Sequence, residues 1–485
     1  LNRTAAKSTA AVILIVGTAI LSEIWMATSG TFRVFNGYTR FNTQLSDSFL
    51  HHRLSLAIQP APALLALPDP YDPAANHDLR VIDLSLYKGK YYLYWGPVPA
   101  AVQAIVWRIL GLDFPNALDA YLGFGFACAM TLAAALLIFQ IQAKLFNRQS
   151  IGGAGYATLS MAMSAPVMYC LSATSIYETA IFAGQFFLLA GMCAAWFAFR
   201  DGGAKPLLLM AAGACWAMAI GSRVSLPPAV AVLTLLALLQ IRRAQPSSPK
   251  YRAAGSLLVS MLVGALILGW YNYARFGSVT ETGSSYQLAS APQNSLLATG
   301  FMSFGHILPN IAGYLLTVPQ KKITFPYFVV VEAKTWLSRY FRLSPGFAPD
   351  PIAGLLWTQP FLVFAFFARS RTKSSESAPD FRRRHLLSWT VRSLFFAGVL
   401  GFLPSLMMQG VTMRYLVDGI PCFSLLAAIG YWQTLESFSA RPRWASEVRM
   451  FVRVIVPLQC ALGILLGVSR NLALFHTVSR WFPIW

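Results

Sequence analysis

The sequence predicts an all-α polytopic membrane protein, and three observations carry that reading. Of 485 residues, 56% are hydrophobic and only 12% are charged, with a mean hydropathy of +0.54. Apolar runs follow one another along almost the whole chain, most of them close to the ~20 residues that a helix needs to cross a hydrocarbon core. The formal net charge of +20 is not one basic tract; the Lys and Arg residues fall between apolar runs, as in the cytoplasmic loops that set topology. The length alone would suggest two or three soluble domains, but the composition points to a single integral membrane domain over 1–485. Nucleic-acid binding is not expected, because no recognition motif accompanies the charge. Six cysteines lie in or beside apolar runs without CxxC spacing, which reads as packing rather than disulfides or metal.

In chain order, Thr9–Ala27 is the first predicted span, with Arg3 and Lys7 ahead of it; these place the N-terminus in the cytoplasm. The run lacks a small-residue cleavage signal and is read as a retained span rather than a signal peptide. Leu1 stands where a Met would open a chain, which leaves the natural start open. The first outer loop then covers 28–112, and its last part, Pro97–Leu112, is apolar but short and carries Arg108. It is read as a helix lying in the outer interface, because a crossing there would put Lys144 and Arg148 outside. Predicted spans follow at 122–141, 151–170, 176–199, 207–220, 226–241 and 254–270. A second outer loop, 272–350, leads to spans at 352–367, 393–408, 415–432 and 451–467, with a basic cytoplasmic loop at 369–388. The total is about eleven spans, with the C-terminus outside.

The polar interruption from Gly30 to Pro99 is unlike the rest of the chain. LPDPYDP (Leu67–Pro73) predicts consecutive turns, since Pro fixes φ and Asp side chains bond nearby N–H groups. Residues 84–87 and 90–95 flank Lys88-Gly89 and predict a small hairpin. Tyr91, Tyr92, Tyr94 and Trp95 suit a membrane interface. QLSDSFLHHRLSLAI predicts an amphipathic helix around Asp47, with Leu45, Phe49 and Leu50 on one face. His51 and His52 point to different sides of such a helix, so the pair does not indicate a metal site. Charges outside the cytoplasmic loops gather toward the outer face, whereas a transporter more often concentrates polar groups and broken helices at mid-membrane. That distribution points to chemistry at the outer surface.

Several segments carry a resemblance: GKYYLYWGPVPA (Gly89–Ala100) after an early acidic residue, YNYARFGSVTETG (Tyr271–Gly283), PIAGLLWTQP (Pro351–Pro360) and MRYLVDGIP (Met413–Pro421). Their order and topology resemble the multi-spanning GT-C glycosyltransferases, specifically bacterial lipid-phosphosugar-dependent enzymes with an RgtA/B/C/D-like domain. The sequence departs from that pattern in having no Asp-Asp or Asp-Glu pair at the end of the first span; Glu23 and Asp47 are the nearest acidic groups.

The resemblance implies a GT-C-like bundle in the bacterial cytoplasmic (inner) membrane. Its donor would be a polyprenyl-phosphate-linked sugar, its acceptor a glycan, lipid or protein, and its surroundings membrane lipids. An outer-loop carboxylate would act as general base, with Asp47 the first candidate and Asp83 and Asp72 in reserve. Arg275 and Arg414 would stabilise the departing phosphate, with Lys88 and Lys90 behind them. Tyr91, Tyr92, Tyr273 and Glu178 complete the substrate-binding candidates, Glu178 serving sugar hydroxyls or capping its helix. Asp418 reads as an ion-pair partner of Arg414 one helical turn away. No cofactor is indicated; a divalent metal is compatible with the chemistry, but no residue cluster points to one. A flippase or exporter of a lipid-linked glycan, or a non-catalytic assembly subunit, is the alternative reading of the same outer charges.

Overall fold

Helices form along the apolar runs because a backbone in hydrocarbon must satisfy its N–H and C=O groups within its own segment. The computed structural model describes residues 3–475 apart from 113, 115, 246, 290–299 and 371–377. Six of its helices contain segments long and apolar enough to cross a membrane: α1 (Arg3–Ala27), α5 (Asp119–Leu145), α8 (Ile176–Phe199), α11 (Lys250–Phe276), α15 (Ala378–Met407) and α17 (Pro442–Arg470). Two shorter apolar helices, α9 (Pro206–Ser222) and α10 (Pro227–Arg242), lie among them in the chain. The predicted class, an all-α polytopic membrane protein, therefore holds.

Burial assigns each helix its place. The apolar window of α8 is 78% buried and that of α11 only 11%, so α8 runs through the centre and α11 forms a rim. Helix α8 packs between α5 and α9, and α9 packs on α11. Small residues permit these close approaches: a Cβ on Gly191 of α8 would collide with the Trp216 ring of α9.

Two predicted spans are broken, each at a proline. The 151–170 run is split into α6 (Ile151–Ala162) and α7 (Ala165–Ser172), with Pro166 in the first turn of α7. The 352–367 run becomes a single turn, α14 (Leu355–Thr358), followed by a 3-10 helix at Pro360–Phe367. Proline has no N–H to continue an α-helix, and the freed groups need partners inside the protein. Gln459 of α17 reaches both breaks: it accepts from the backbone Phe361 N–H at 3.2 Å, and its amide donates to the side-chain oxygens of Gln359 at 3.0 Å and Ser160 at 2.6 Å. The basic stretch expected as a loop over 369–388 is helical from Ala378 onward; Pro379 falls in its first turn, where proline is tolerated, no Gly or Pro follows before Gly398, and Arg and Leu favour helix.

At the end of the bundle where α1 finishes, the Gly30–Pro99 segment folds on a small core of its own. Leu45, Leu56, Leu64, Leu84, Leu86, Tyr91 and Leu93 are all buried together there. Its elements are α2 (Phe41–Leu50), a single turn α3 (Pro62–Leu65), and strands β1 (Ser85–Tyr87) and β2 (Lys90–Tyr92), paired antiparallel with Leu86 opposite Tyr91. The predicted hairpin is present: Lys88 (φ 48°) and Gly89 (φ 71°) are both left-handed, as a type I′ turn requires. So are the Asp turns, in which Asp69 Oδ1 accepts from the Tyr71 N–H at 2.9 Å and Asp72 Oδ1 from the Ala74 N–H at 3.0 Å. Helix α4 (Val98–Leu110) follows, packed on α2 through Gln103, whose amide oxygen accepts from Ser46 at 2.9 Å. Its other face leaves Ile105, Val106, Ile109 and Leu110 exposed, the pattern of a helix that lies against lipid.

The second polar segment adds α12 (Ile307–Leu316), a short hairpin of β3 (Gln320–Lys321) and β4 (Phe328–Val329), and α13 (Lys334–Tyr340). It is stitched to the first. Leu84 and Leu288 bond through the Leu288 N–H at 2.8 Å, the Asp83 N–H reaches the Leu288 carbonyl at 3.1 Å, and Ser85 Oγ donates to the Gly283 carbonyl at 2.7 Å.

Candidate active site

Where the two polar segments meet the helix ends, one cluster joins groups from five parts of the chain. Asp83 sits with φ 67° just before β1, a left-handed conformation that Asp adopts more readily than most residues. Its carboxylate accepts from the Tyr177 hydroxyl at the start of α8 and from Gln287 Nε2 at 3.2 Å. Gln287 also donates to the Tyr94 hydroxyl at 3.0 Å. The Tyr177 ring stands edge-on to Trp95 at 5.1 Å, and on it rests the Arg414 guanidinium, 4.9 Å from the ring centre. Burial pushes the Tyr94 pKa up, and the charge of Asp83 adds to the effect, so this hydroxyl stays protonated at working pH.

Arg414 comes from the 3-10 turn Met413–Asp418 between α15 and α16 (Ile420–Ser437). Its Nε is buried without a hydrogen-bond partner, and its ion pair to Asp350 Oδ2 is loose at 3.7 Å; a charge-assisted bond usually closes to about 2.7–2.9 Å. Burial works against the Arg414 charge, but Tyr415, Glu178, Asp350 and Tyr177 around it hold its pKa above the usual guanidinium value. Three other buried or half-buried arginines have closer partners. Arg223 grips Asp418 with both Nε and Nη2 and the Ser405 hydroxyl adds a bond at 3.0 Å. Arg470 donates to Glu178 and to the Tyr169 carbonyl, each at 2.9 Å. Arg275 donates to the carbonyls of Leu93 (2.7 Å), Tyr271 and Thr282 and to Asn272 Oδ1 (2.8 Å), with its guanidinium 3.8 Å from the Tyr271 ring centre. Arg414 is thus a charged fork with donors to spare beside a hydrogen-bonded carboxylate. Such a pair can hold an anion at one end and take a proton from a hydroxyl at the other.

Of the residues that the sequence nominates, Asp83 and Arg414 come together around Tyr177, with Glu178 next to Tyr177 in the chain. Glu178 is fully engaged: it caps its own helix through Ser175 and pairs with Arg470. Asp47 is held in the loop by Arg53 and His51, each at 3.1 Å. Asp72 is exposed in its turn. Lys88 and Lys90 are exposed around the hairpin turn, Lys88 with its ammonium 5.2 Å from the Tyr87 ring centre. Tyr91 is buried in the loop core, Tyr92 packs on Phe276 at 5.3 Å and Tyr273 is 60% exposed on α11. Among the described contacts none joins Asp47, Asp72, Lys88 or Tyr273 to the Arg414 cluster.

Asp418 does not pair with Arg414, contrary to expectation. Residues 413–418 form a 3-10 turn, in which positions four apart no longer stack as they do in an α-helix, and Asp418 turns inward to Arg223. Sequence reasoning also missed Tyr177, Gln287 and Asp350 as site residues, and Asp119 as the group that anchors α2. Asp119 accepts from Thr39 Oγ1 at 2.7 Å and from the Phe41 and Asn42 N–H groups at 3.0 Å. A lone carboxylate opening an apolar run was the available signal. Glu23, buried in α1, accepts from the Thr131 hydroxyl of α5 at 2.5 Å and lies among packed helices. Among the described residues, no group of three or more His, Cys, Asp or Glu could hold a metal ion.

Glycine 96 fixes the position of the Tyr94–Trp95 wall. A Cβ there would collide with the Gly221 carbonyl at the end of α9, so only glycine lets this segment dock on that helix end.

No family model matches the chain, and no curated protein matches it either. The chain is similar to the crystal structure of ArnT from Cupriavidus metallidurans bound to undecaprenyl phosphate, at 14% identity over 97% of this chain and 78% of that one, with a TM-score of 0.46. The apo form of that protein gives 14% identity, 98% and 78% coverage and a TM-score of 0.45. The archaeal oligosaccharyltransferase AglB from Archaeoglobus fulgidus, in complex with an inhibitory peptide and a dolichol-phosphate, gives 11% identity and a TM-score of 0.42, with 97% of this chain covering 55% of that one.

Proposed function

We propose that the chain is a membrane glycosyltransferase that moves a sugar from a polyprenyl-phosphate donor to a hydroxyl acceptor on a glycan, lipid or protein. The reaction takes place at the outer face of the bacterial inner membrane. The observation that carries this reading is the under-satisfied Arg414 fork held beside the Asp83–Tyr177 pair. Asp83 accepts the proton of the acceptor hydroxyl as its oxygen attacks the anomeric carbon; Tyr177 and Gln287 hold the carboxylate while leaving lone pairs open. The bond from the anomeric carbon to the phosphate oxygen breaks with oxocarbenium character. The charge left on the polyprenyl phosphate is taken by Arg414, which exchanges its loose contact with Asp350 for phosphate oxygens. This assignment moves Asp83 ahead of Asp47, whose carboxylate is already engaged by Arg53.

The test is transfer of a labelled sugar from polyprenyl-phosphate donors by the purified full-length chain. Transfer is expected for wild type, and Arg414→Gln is expected to slow it by about 10²-fold or more, as for removal of a donor to developing negative charge. Movement of the lipid across a vesicle membrane without any transfer contradicts the proposal.

A further inference from the structure

The opposite, basic end of the bundle holds a second site. A cavity of about 360 Å³ opens there, lined by Lys144, Arg200, Asp201, Arg382 and Arg383 around the side chains of Leu145 and Leu386. Three helices supply it: the last turn of α5, the residues just past α8, and the first turns of α15. These are the ends of three apolar segments, so the cavity lies at the level where hydrocarbon gives way to headgroups. The two leucines make its floor and the cations its rim.

The charge in this cavity is unbalanced. Asp201 is shared by Lys144 (3.2 Å), Lys205 (3.3 Å) and Arg200 (3.6 Å), and those contacts use both of its oxygens. Arg383 donates to the Leu145 carbonyl and feels Glu436 of α16. Among the described residues, Arg382 meets a neutral amide, the Gln245 oxygen accepting from it at 2.9 Å. Among the described residues that line the cavity, four cations (Lys144, Arg200, Arg382 and Arg383) face one carboxylate, Asp201. Like charges this close repel one another unless an anion enters between them. A phosphate is the anion whose geometry suits two neighbouring guanidinium forks over an apolar floor.

We infer that this cavity binds a phosphate-bearing anion, with two sources for that chemistry: the headgroup of an anionic lipid in the adjoining leaflet, or a free phosphate. Basic pockets between helix ends on the cytoplasmic side favour such lipids. The inference does not rest on the glycosyltransferase reading, since it concerns the other face of the bundle.

The experiment uses the full-length protein in neutral detergent, titrated in separate arms with cardiolipin, with zwitterionic phosphatidylcholine and with inorganic phosphate. Binding is followed by native mass spectrometry and by the thermal unfolding midpoint. Saturable cardiolipin binding by wild type, weakened by about thirtyfold in Arg382→Gln/Arg383→Gln at about fivefold per cation removed, supports the lipid source. A midpoint raised by inorganic phosphate alone, and lost in the same variant, supports the free source. Arg382→Lys, which keeps the charge, is expected to retain most of the binding. Arg443→Gln, whose side chain is 92% exposed at the same end of the bundle, serves as control. Equal binding by wild type and the double variant, an equal loss in Arg443→Gln, or no preference of wild type for cardiolipin or phosphate would overturn the inference.

Discussion

Arg223 and Asp418 are 7% and 0% exposed and form a bidentate pair between the end of α9 and the turn before α16. Removing one partner of a buried pair leaves the other charge uncompensated, which costs about 3–5 kcal/mol, whereas replacing both by apolar groups of similar volume is near neutral. Asp418→Ala is therefore expected to lower the unfolding midpoint in detergent sharply, and Arg223→Met/Asp418→Leu to recover most of the loss. If Asp418→Ala unfolds at the wild-type midpoint, the pair contributes nothing and the turn is held by other contacts. Neither this pair nor Glu178 with Arg470 was legible in the sequence, because their partners are separated by 195 and 292 residues and no local spacing links them. Asp83 and Arg414 could be named as charges away from the basic loops. What could not be read was that Tyr177 would join them, since that depends on how α8 meets the polar loop.

At the scale of elements, local chemistry was readable and tertiary breaks were not. The hairpin at 85–92 and the two Asp turns follow from residues within four positions of each other, and both are present. The hairpin also carries an avoidable local strain. Lys88 occupies a left-handed position (φ 48°) that asparagine fills more readily, with Asn-Gly the favoured type I′ pair. Lys88→Asn is expected to stabilise the hairpin by about 0.5–1 kcal/mol, seen as slower amide exchange across 85–92 with an unchanged core. Faster exchange would mean that the Lys88 contact with Tyr87 outweighs the backbone preference. The interruptions at 163–164 and 359 were missed because a single proline in a long apolar run does not say whether the helix kinks or ends. The outcome depends on distant polar groups such as Gln459, which is what makes a break inside the bundle tolerable.

On the scale of the whole molecule, the class was legible from a 56% hydrophobic composition together with apolar runs of span length and Lys and Arg placed between them. The arrangement also separates two chemistries. The acidic and aromatic loops gather where α1 ends, and the basic cavity gathers where α5 and α8 end. If these are opposite sides of a membrane, a single cysteine at Asp78, whose side chain is 93% exposed, is labelled by an impermeant maleimide in intact spheroplasts. One at Arg443 is labelled only after permeabilisation. The native cysteines are buried or half-buried and give little background once replaced. Labelling of both positions from the same side contradicts the separation.

The central claim is that Asp83, set in the Tyr177–Gln287–Arg414 cluster, is the carboxylate that does the chemistry. It is tested most directly by comparing sugar transfer from a polyprenyl-phosphate donor by Asp83→Asn and Asp47→Asn. Loss of a general base is expected to cost about 10²–10⁴-fold for Asp83→Asn, with Asp47→Asn within about tenfold of wild type on the same scale. Transfer that survives Asp83→Asn and disappears with Asp47→Asn would contradict the account and return the base to α2.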